Sequence, residues 1–294
     1  MKRLFFVLVL AVAFGSMAAP AHAVPGDDIL DSLVQSYSGA STQWLGRTTA
    51  LTRNTFALLA ALEATIFLVY FILKGQNGLV LLQKALLLAI LQGLLTFYPV
   101  WIPTILQGFE RVGQIASGTP GVSPSGVLDM GIALAGTLIE DGFGPLTFAS
   151  TQLGSIWIVA LSILLIFAAF VVIAGRLAVL LIKSYVLVGG SFIAAAFSAC
   201  RLTASVTDAW IGQFVRLGIE IMLTYILITP GLVLAQRFPA ILTDHASGFS
   251  LWGPFNVLAT SWVFAWVVWT VPAELSHALT ASWRLGIAEA HRNA

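Results

Sequence analysis

The stretch FALLAALEATIFLVYFIL, residues 56–73, holds a single charge, Glu63, in eighteen positions. At 1.5 Å per residue such a helix crosses most of a hydrocarbon core about 30 Å thick. A tight turn, Lys74-Gly-Gln-Asn-Gly78, follows it, with Lys74 and Lys84 as flanking charges. A second apolar run extends from Leu81 to Ile102 and closes on Tyr98, Pro99, Trp101 and Pro103, which read as an interface belt and a helix stop. This hairpin sets the pattern for the chain. Further apolar blocks occupy 155–199, Leu217 to Ala235 and Leu251 to Val271.

Composition agrees with a bilayer as solvent. The chain is 59% hydrophobic and 9% charged, against about 25% charged in soluble proteins. The fold class expected is all-α, a polytopic integral membrane bundle of five to six transmembrane helices plus short amphipathic periplasmic helices. Fourteen basic and thirteen acidic residues nearly cancel, so a basic nucleic-acid-binding surface has no support. Cys200 is the sole cysteine and reads as a small packing residue.

Residues 1–23 resemble a secretion signal, with Lys2 and Arg3, an apolar run from Leu4 to Phe14 and a small-residue exit at Ala21-His22-Ala23. Cleavage there would leave twelve basic against thirteen acidic residues, net −1, and a mature N-terminus outside the cytoplasmic membrane. Residues 24–55 then form a periplasmic amphipathic segment. It includes a short helix over Asp28 to Leu45, with Asp27 and Asp28 at its start and Trp44 at headgroup level. Residues 56–102 form the first transmembrane hairpin, and 103–154 an external loop. That loop carries Glu110, Arg111, Asp129, Glu140 and Asp141, net −3, a balance that belongs outside. Residues 155–271 form a C-terminal transmembrane bundle, and 272–294 a short tail.

The block 155–199 leaves the topology open, since it suits two spans or one long tilted element. With six crossings five basic residues lie inside and seven outside. With five crossings Lys74, Lys84, Lys183, Arg201, Arg216, Arg284 and Arg292 lie inside, and Arg47, Arg53, Arg111 and Arg237 outside. The positive-inside rule prefers five and a cytoplasmic C-terminus, whereas hydropathy prefers six.

Glu63 is the clearest buried ionisable residue. It is either a site on a polar pathway or a carboxyl satisfied by a neighbouring helix or subunit, the second being favoured. Arg216 and Glu220 stand four apart on one helix face, an ion-pair spacing in the weaker order. Gly190, Ala194 and Ser198 repeat every four positions, a stripe suited to close helix packing. No catalytic constellation emerges; Ser191 and His277 are the best nucleophile and base available, and nothing brings them together. His22, His245, His277 and His291 lack metal-ligand spacing. No cofactor, metal or small-molecule substrate is expected. Two function classes remain: an oligomeric assembly subunit, and a stand-alone permease or small channel motivated by Glu63, Arg216, Glu220 and Pro230.

Several motifs in order resemble the TrbL family, polytopic inner-membrane subunits of conjugative type IV secretion. Trp44, Phe56, Leu58, Leu62 and Glu63 resemble its start. Trp101-Ile-Pro103 and Gln107-Gly-Phe109 precede Ser123-Pro-Ser-Gly-Val-Leu-Asp129-Met-Gly131-Ile-Ala-Leu-Ala135, the strongest match. Ser123, Pro124, Asp129 and Gly131 are therefore marked as a periplasmic motif. Phe197 to Trp210 resembles a polar turn that in the family is glycine-rich and then Arg-Trp-Thr; here it reads Ser198-Ala-Cys-Arg-Leu-Thr203. Val271-Pro272 with Leu279 resembles the closing segment. The resemblance implies an inner-membrane scaffold or channel subunit that forms a homo-oligomeric ring at the base of a pilus. Its partners would be the bilayer, other secretion and pilus subunits and, transiently, a DNA-protein complex.

Overall fold

The computed structural model describes residues 29–75, 78–118, 122–143, 153–235, 237 and 252–281. The expected signal, Asp27 and Asp28, and the tail beyond 281 with Trp283, Arg284 and Arg292 lie outside the described residues. Among the described residues the secondary structure is helical throughout: α1 Ile29–Lys74, α2 Gly78–Ser117, α3 Pro124–Phe143, α4 Leu153–Ala196, α5 Ala204–Ala235 and α6 Trp252–Thr280. A 3-10 turn, Phe197–Ala199, follows α4. All but α3 contain a segment long and apolar enough to cross a membrane.

The structure redraws three boundaries. The stretch expected as a separate interfacial helix is the first part of α1, which runs unbroken for 46 residues, about 70 Å. Its hydroxyls sustain the ladder locally, as where Thr48 and Thr49 donate to the carbonyls of Trp44 and Leu45 at 2.7 Å. The helix stop expected at Pro99 and Pro103 does not occur, and α2 continues to Ser117. Proline deletes a backbone donor, but a helix packed in an apolar bundle tolerates the loss and runs on. The Trp101 indole donates to the Leu94 carbonyl at 3.2 Å and Thr104 to that of Val100 at 2.7 Å in the flanking turns, while the missing N–H groups of Pro99 and Pro103 leave the Leu95 and Pro99 carbonyls without their helical donors. Tyr98 is not part of an exposed belt either; it is 2% exposed. Finally, 153–196 is a single proline-free helix of 44 residues, so the block that hydropathy divides into two spans is one element.

Most of the external loop expected at 103–154 is helical, formed by the end of α2 and by α3. Gly75 and Gly118 end α1 and α2 at φ 59° and 72°, the left-handed conformation that glycine adopts without steric cost.

Packing runs along α4. One apolar cluster joins α4 to α3, α5 and α6 through Val127, Phe170, Ile173, Leu177, Ile221, Ile228 and Val268. The other joins the C-terminal half of α4 to α1, α2 and the start of α5 through Phe56, Leu95, Tyr98, Phe192 and Phe214. Tyr98 anchors the second: its hydroxyl lies 3.1 Å from Ser191 Oγ, and its ring 4.8 Å from that of Phe192.

α1 runs in the same direction as α4. A Cβ on Gly189 would meet Trp44 and Ser41, whereas Glu63 meets the backbone at Arg201. α2 returns antiparallel to α1, with Lys84 against Glu63 and Tyr98 against Ser191. α5 returns antiparallel to α4, where Thr207 donates to the Ala194 carbonyl and Glu220 meets Arg176. The α1–α2 turn and the α4–α5 turn therefore point toward the same end of the bundle.

Candidate functional site

Glu63 is satisfied from a neighbouring helix, as the favoured reading of the sequence had it. Its Oε1 lies 2.7 Å from Lys84 Nζ, and its Oε2 accepts the Arg201 backbone N–H at 3.1 Å. Both side chains are less than a tenth exposed. The polar turn 197–203 thus ends α4 and aims a backbone N–H at the carboxylate. Thr203 stabilises that turn by donating to the Phe197 carbonyl at 2.7 Å. Beyond this ion pair, α1 and α2 continue into an apolar hairpin tip whose Ile72, Leu73, Leu79 and Leu82 face outward.

The second ion pair corrects the sequence. Glu220 pairs with Arg176 of α4 and not with Arg216 one turn away. Arg216 N-terminal to glutamate is the less favourable order, and Arg176 on a helix otherwise apolar around it needs a counter-charge more than a half-buried Arg216 does. The Arg176 guanidinium also lies 5.0 Å from the centroid of the Trp269 ring, so the tryptophan-rich face of α6 reaches this pair. Its Nε has no hydrogen-bond partner among the described residues.

At the head of the expected stripe Gly190, Ala194, Ser198, the glycine in close contact with a neighbouring helix is Gly189. Gly190 is exposed, and a Cβ there would meet nothing within 4 Å, whereas Gly189 receives the Trp44 ring at 2.7 Å from such a Cβ. Ser198 is buried and donates to the Ala195 carbonyl at 2.8 Å, while the carbonyl of Ala194 accepts from Thr207. Bulk, and not regular spacing, selects which glycine is needed, because Trp44 fits only beside Gly189.

The motif around Ser123 acquires a physical account. Ser123 Oγ accepts the Gly126 N–H at 3.1 Å, the N-cap of α3, and Pro124 takes the first helical position, where no N–H is needed. Ser125 and Asp31 bond reciprocally, each backbone N–H donating to the other's side-chain oxygen at 3.2 Å, which ties the start of α3 to the start of α1. A Cβ on Gly131 would fall 2.6 Å from Phe170 Cβ, so α3 approaches α4 closely there. Asp129 faces outward.

A cavity of about 420 Å³ was not foreseen from the sequence. It lies between one face of α1 (Ser38, Ser41, Thr42, Leu45, Thr49), one face of α2 (Pro99, Pro103, Leu106, Gln107, Glu110) and α4 (Leu181, Ser184, Tyr185, Val188). Positions 38, 41, 42, 45 and 49 follow helical spacing, as do 99, 103, 106, 107 and 110, so each helix turns a single face to it. The hydroxyls at 38, 41, 42 and 49 were the available signal. They carry it weakly, because serine and threonine also serve simply to bond the preceding turn. The Glu110 Oε1 accepts the Tyr225 hydroxyl at 3.1 Å and Gln114 Nε2 at 3.3 Å. No basic side chain pairs with Glu110 among the described residues.

No group of His, Cys, Asp or Glu among the described residues could hold a metal ion. Among curated proteins no match was found. The family model described as TrbL/VirB6 plasmid conjugal transfer protein matches residues 64–271, more than two thirds of the 294-residue chain. That span contains Lys84, the groove face of α2, the α3 motif and the Arg176–Glu220 pair. The chain belongs to the TrbL/VirB6 plasmid conjugal transfer family, as its own motifs suggested, and is a membrane component of conjugal transfer by type IV secretion.

Proposed function

We propose that the protein is an inner-membrane scaffold or channel subunit of the type IV secretion apparatus, associating with copies of itself and with other secretion and pilus subunits. In this role it contributes to pilus assembly and to passage of a DNA-protein substrate. The family match over residues 64–271 carries the reading. The outward apolar faces of α1, α2 and α6 suit contact with lipid and with further subunits. The mature N-terminus and α3 are periplasmic, five helices cross, and the C-terminus is cytoplasmic. The single helix at 153–196 and the shared end of the two turns support that parity, since it puts Lys74, Lys84 and Arg201 together on the basic, cytoplasmic side.

A stand-alone permease loses much of its motivation. Glu63 and Glu220 each meet a cation, and Pro230 sits within a continuous α5. Deleting the gene is expected to abolish conjugative transfer and pilus formation, with both restored by the gene in trans. A deletion strain that conjugates normally overturns the proposal. A phosphatase or fluorescent reporter placed after Ala294 tests the parity, and phosphatase activity there would refute the five-crossing arrangement.

A further inference from the structure

The groove between α1, α2 and α4 carries one acidic side chain, Glu110, among hydroxyl and amide groups (Ser38, Ser41, Thr42, Thr49, Gln107, Ser184, Tyr185) and no basic one. The hydroxyl protons of Thr42, Thr49 and Ser184 are committed to the carbonyls of Ser38, Leu45 and Leu181 at 3.2, 2.7 and 2.7 Å, so each oxygen retains only lone pairs to offer. Pro103 has no N–H, and the carbonyl of Pro99, four residues earlier on the same groove-lining face, is left without its helical donor. At the end of that face stands the Glu110 carboxyl, held by two neutral donors and by no basic side chain among the described residues. Glu63 and Glu220, the other acidic side chains packed inside the bundle, each have a cation. Leu45, Leu106, Leu181, Val188 and Ile221 give the cavity apolar walls.

We infer that this groove binds an organic cation, an alkylammonium group whose charged head is received by Glu110 and the free oxygens and whose alkyl stem lies on the leucine and valine walls. A bare metal ion would leave most of a 420 Å³ cavity unfilled. An anion would meet the Glu110 carboxylate with no basic side chain in the lining to offset it. A neutral apolar molecule would leave the carboxyl and the Pro99 carbonyl unmatched.

Titration calorimetry of the purified full chain in lipid nanodiscs, with n-butylammonium chloride as probe, tests the inference. Saturable binding is expected, weakened tenfold or more by Glu110→Gln, with n-butanol and potassium chloride giving no saturable heat. A second variant, Thr42→Val, removes one groove oxygen on α1, a different helix from that of Glu110, and is expected to weaken binding several-fold while leaving thermal unfolding unchanged. Absence of saturable binding by the folded wild-type chain overturns the inference. So does butylammonium binding unaltered in a folded Glu110→Gln protein, or equal binding of butanol or potassium.

Discussion

Replacing Glu63 by glutamine tests whether α1 and α2 are held together by charge. The amide keeps the size of the side chain and an oxygen for the Arg201 N–H, now 3.1 Å from the carboxylate. What disappears is the negative charge 2.7 Å from the Lys84 ammonium, a side chain only 4% exposed. Removing one partner from a buried ion pair costs about 3–5 kcal/mol. The low end of that range, about 3 kcal/mol, is the destabilisation expected for Glu63→Gln and, in the opposite sense of charge, for Lys84→Met, since the pair lies near the end of the bundle that carries both turns. The double variant removes both charges together and is expected to lie within about 1–2 kcal/mol of wild type, a coupling of several kcal/mol. The assay is unfolding in mixed micelles of rising dodecyl sulfate content, followed by far-ultraviolet circular dichroism. Single-variant losses below about 0.5 kcal/mol, or a double variant equal to the sum of the singles, would refute the pairing.

Three further outcomes are expected. Gly131→Val is expected to lose about 1–3 kcal/mol because its Cβ would enter Phe170, whereas Gly190→Ala, which meets open space, stays within about 0.5 kcal/mol; the same micellar unfolding compares them. Arg176→Met is expected to destabilise by about 3–5 kcal/mol and to be largely rescued by Glu220→Met, while Arg216→Met is not rescued by it. Cys200, 1% exposed, is expected to resist a membrane-permeant maleimide in the folded protein and to react on full unfolding, which mass spectrometry reads directly.

Much of the fold was legible because hydropathy is local. A run such as 56–73 announces a spanning helix whatever surrounds it, and the same holds for the apolar parts of α2, α5 and α6. Helix ends were less legible. Pro99 and Pro103 signal a stop in water, yet α2 runs past them, its face packed through Leu95, Tyr98, Ile102 and Leu106 into a buried cluster. The candidate site shows the same division. Glu63 stood out as a charge in an apolar run, but nothing nearby named Lys84 or the Arg201 N–H as its partners. The groove was hidden for a further reason: it exists only where three helix faces meet, and each face alone reads as ordinary serine, threonine and leucine.

The amino-acid order alone thus determined that this is a helical membrane protein, roughly how many helices are long and apolar enough to cross, and through its ordered motifs the family to which it belongs. Each of these follows from properties summed along short stretches of chain. Only the tertiary structure decided which charges neutralise each other, which glycine admits a tryptophan, and where a carboxyl lines a groove without a basic partner. Those are distances between atoms far apart in sequence, 44 residues for Arg176 and Glu220 and 138 for Arg201 and Glu63. In a low-dielectric bundle an unpaired charge costs several kcal/mol, so the helices settle into the arrangement that pairs Glu63 with Lys84 and Arg176 with Glu220.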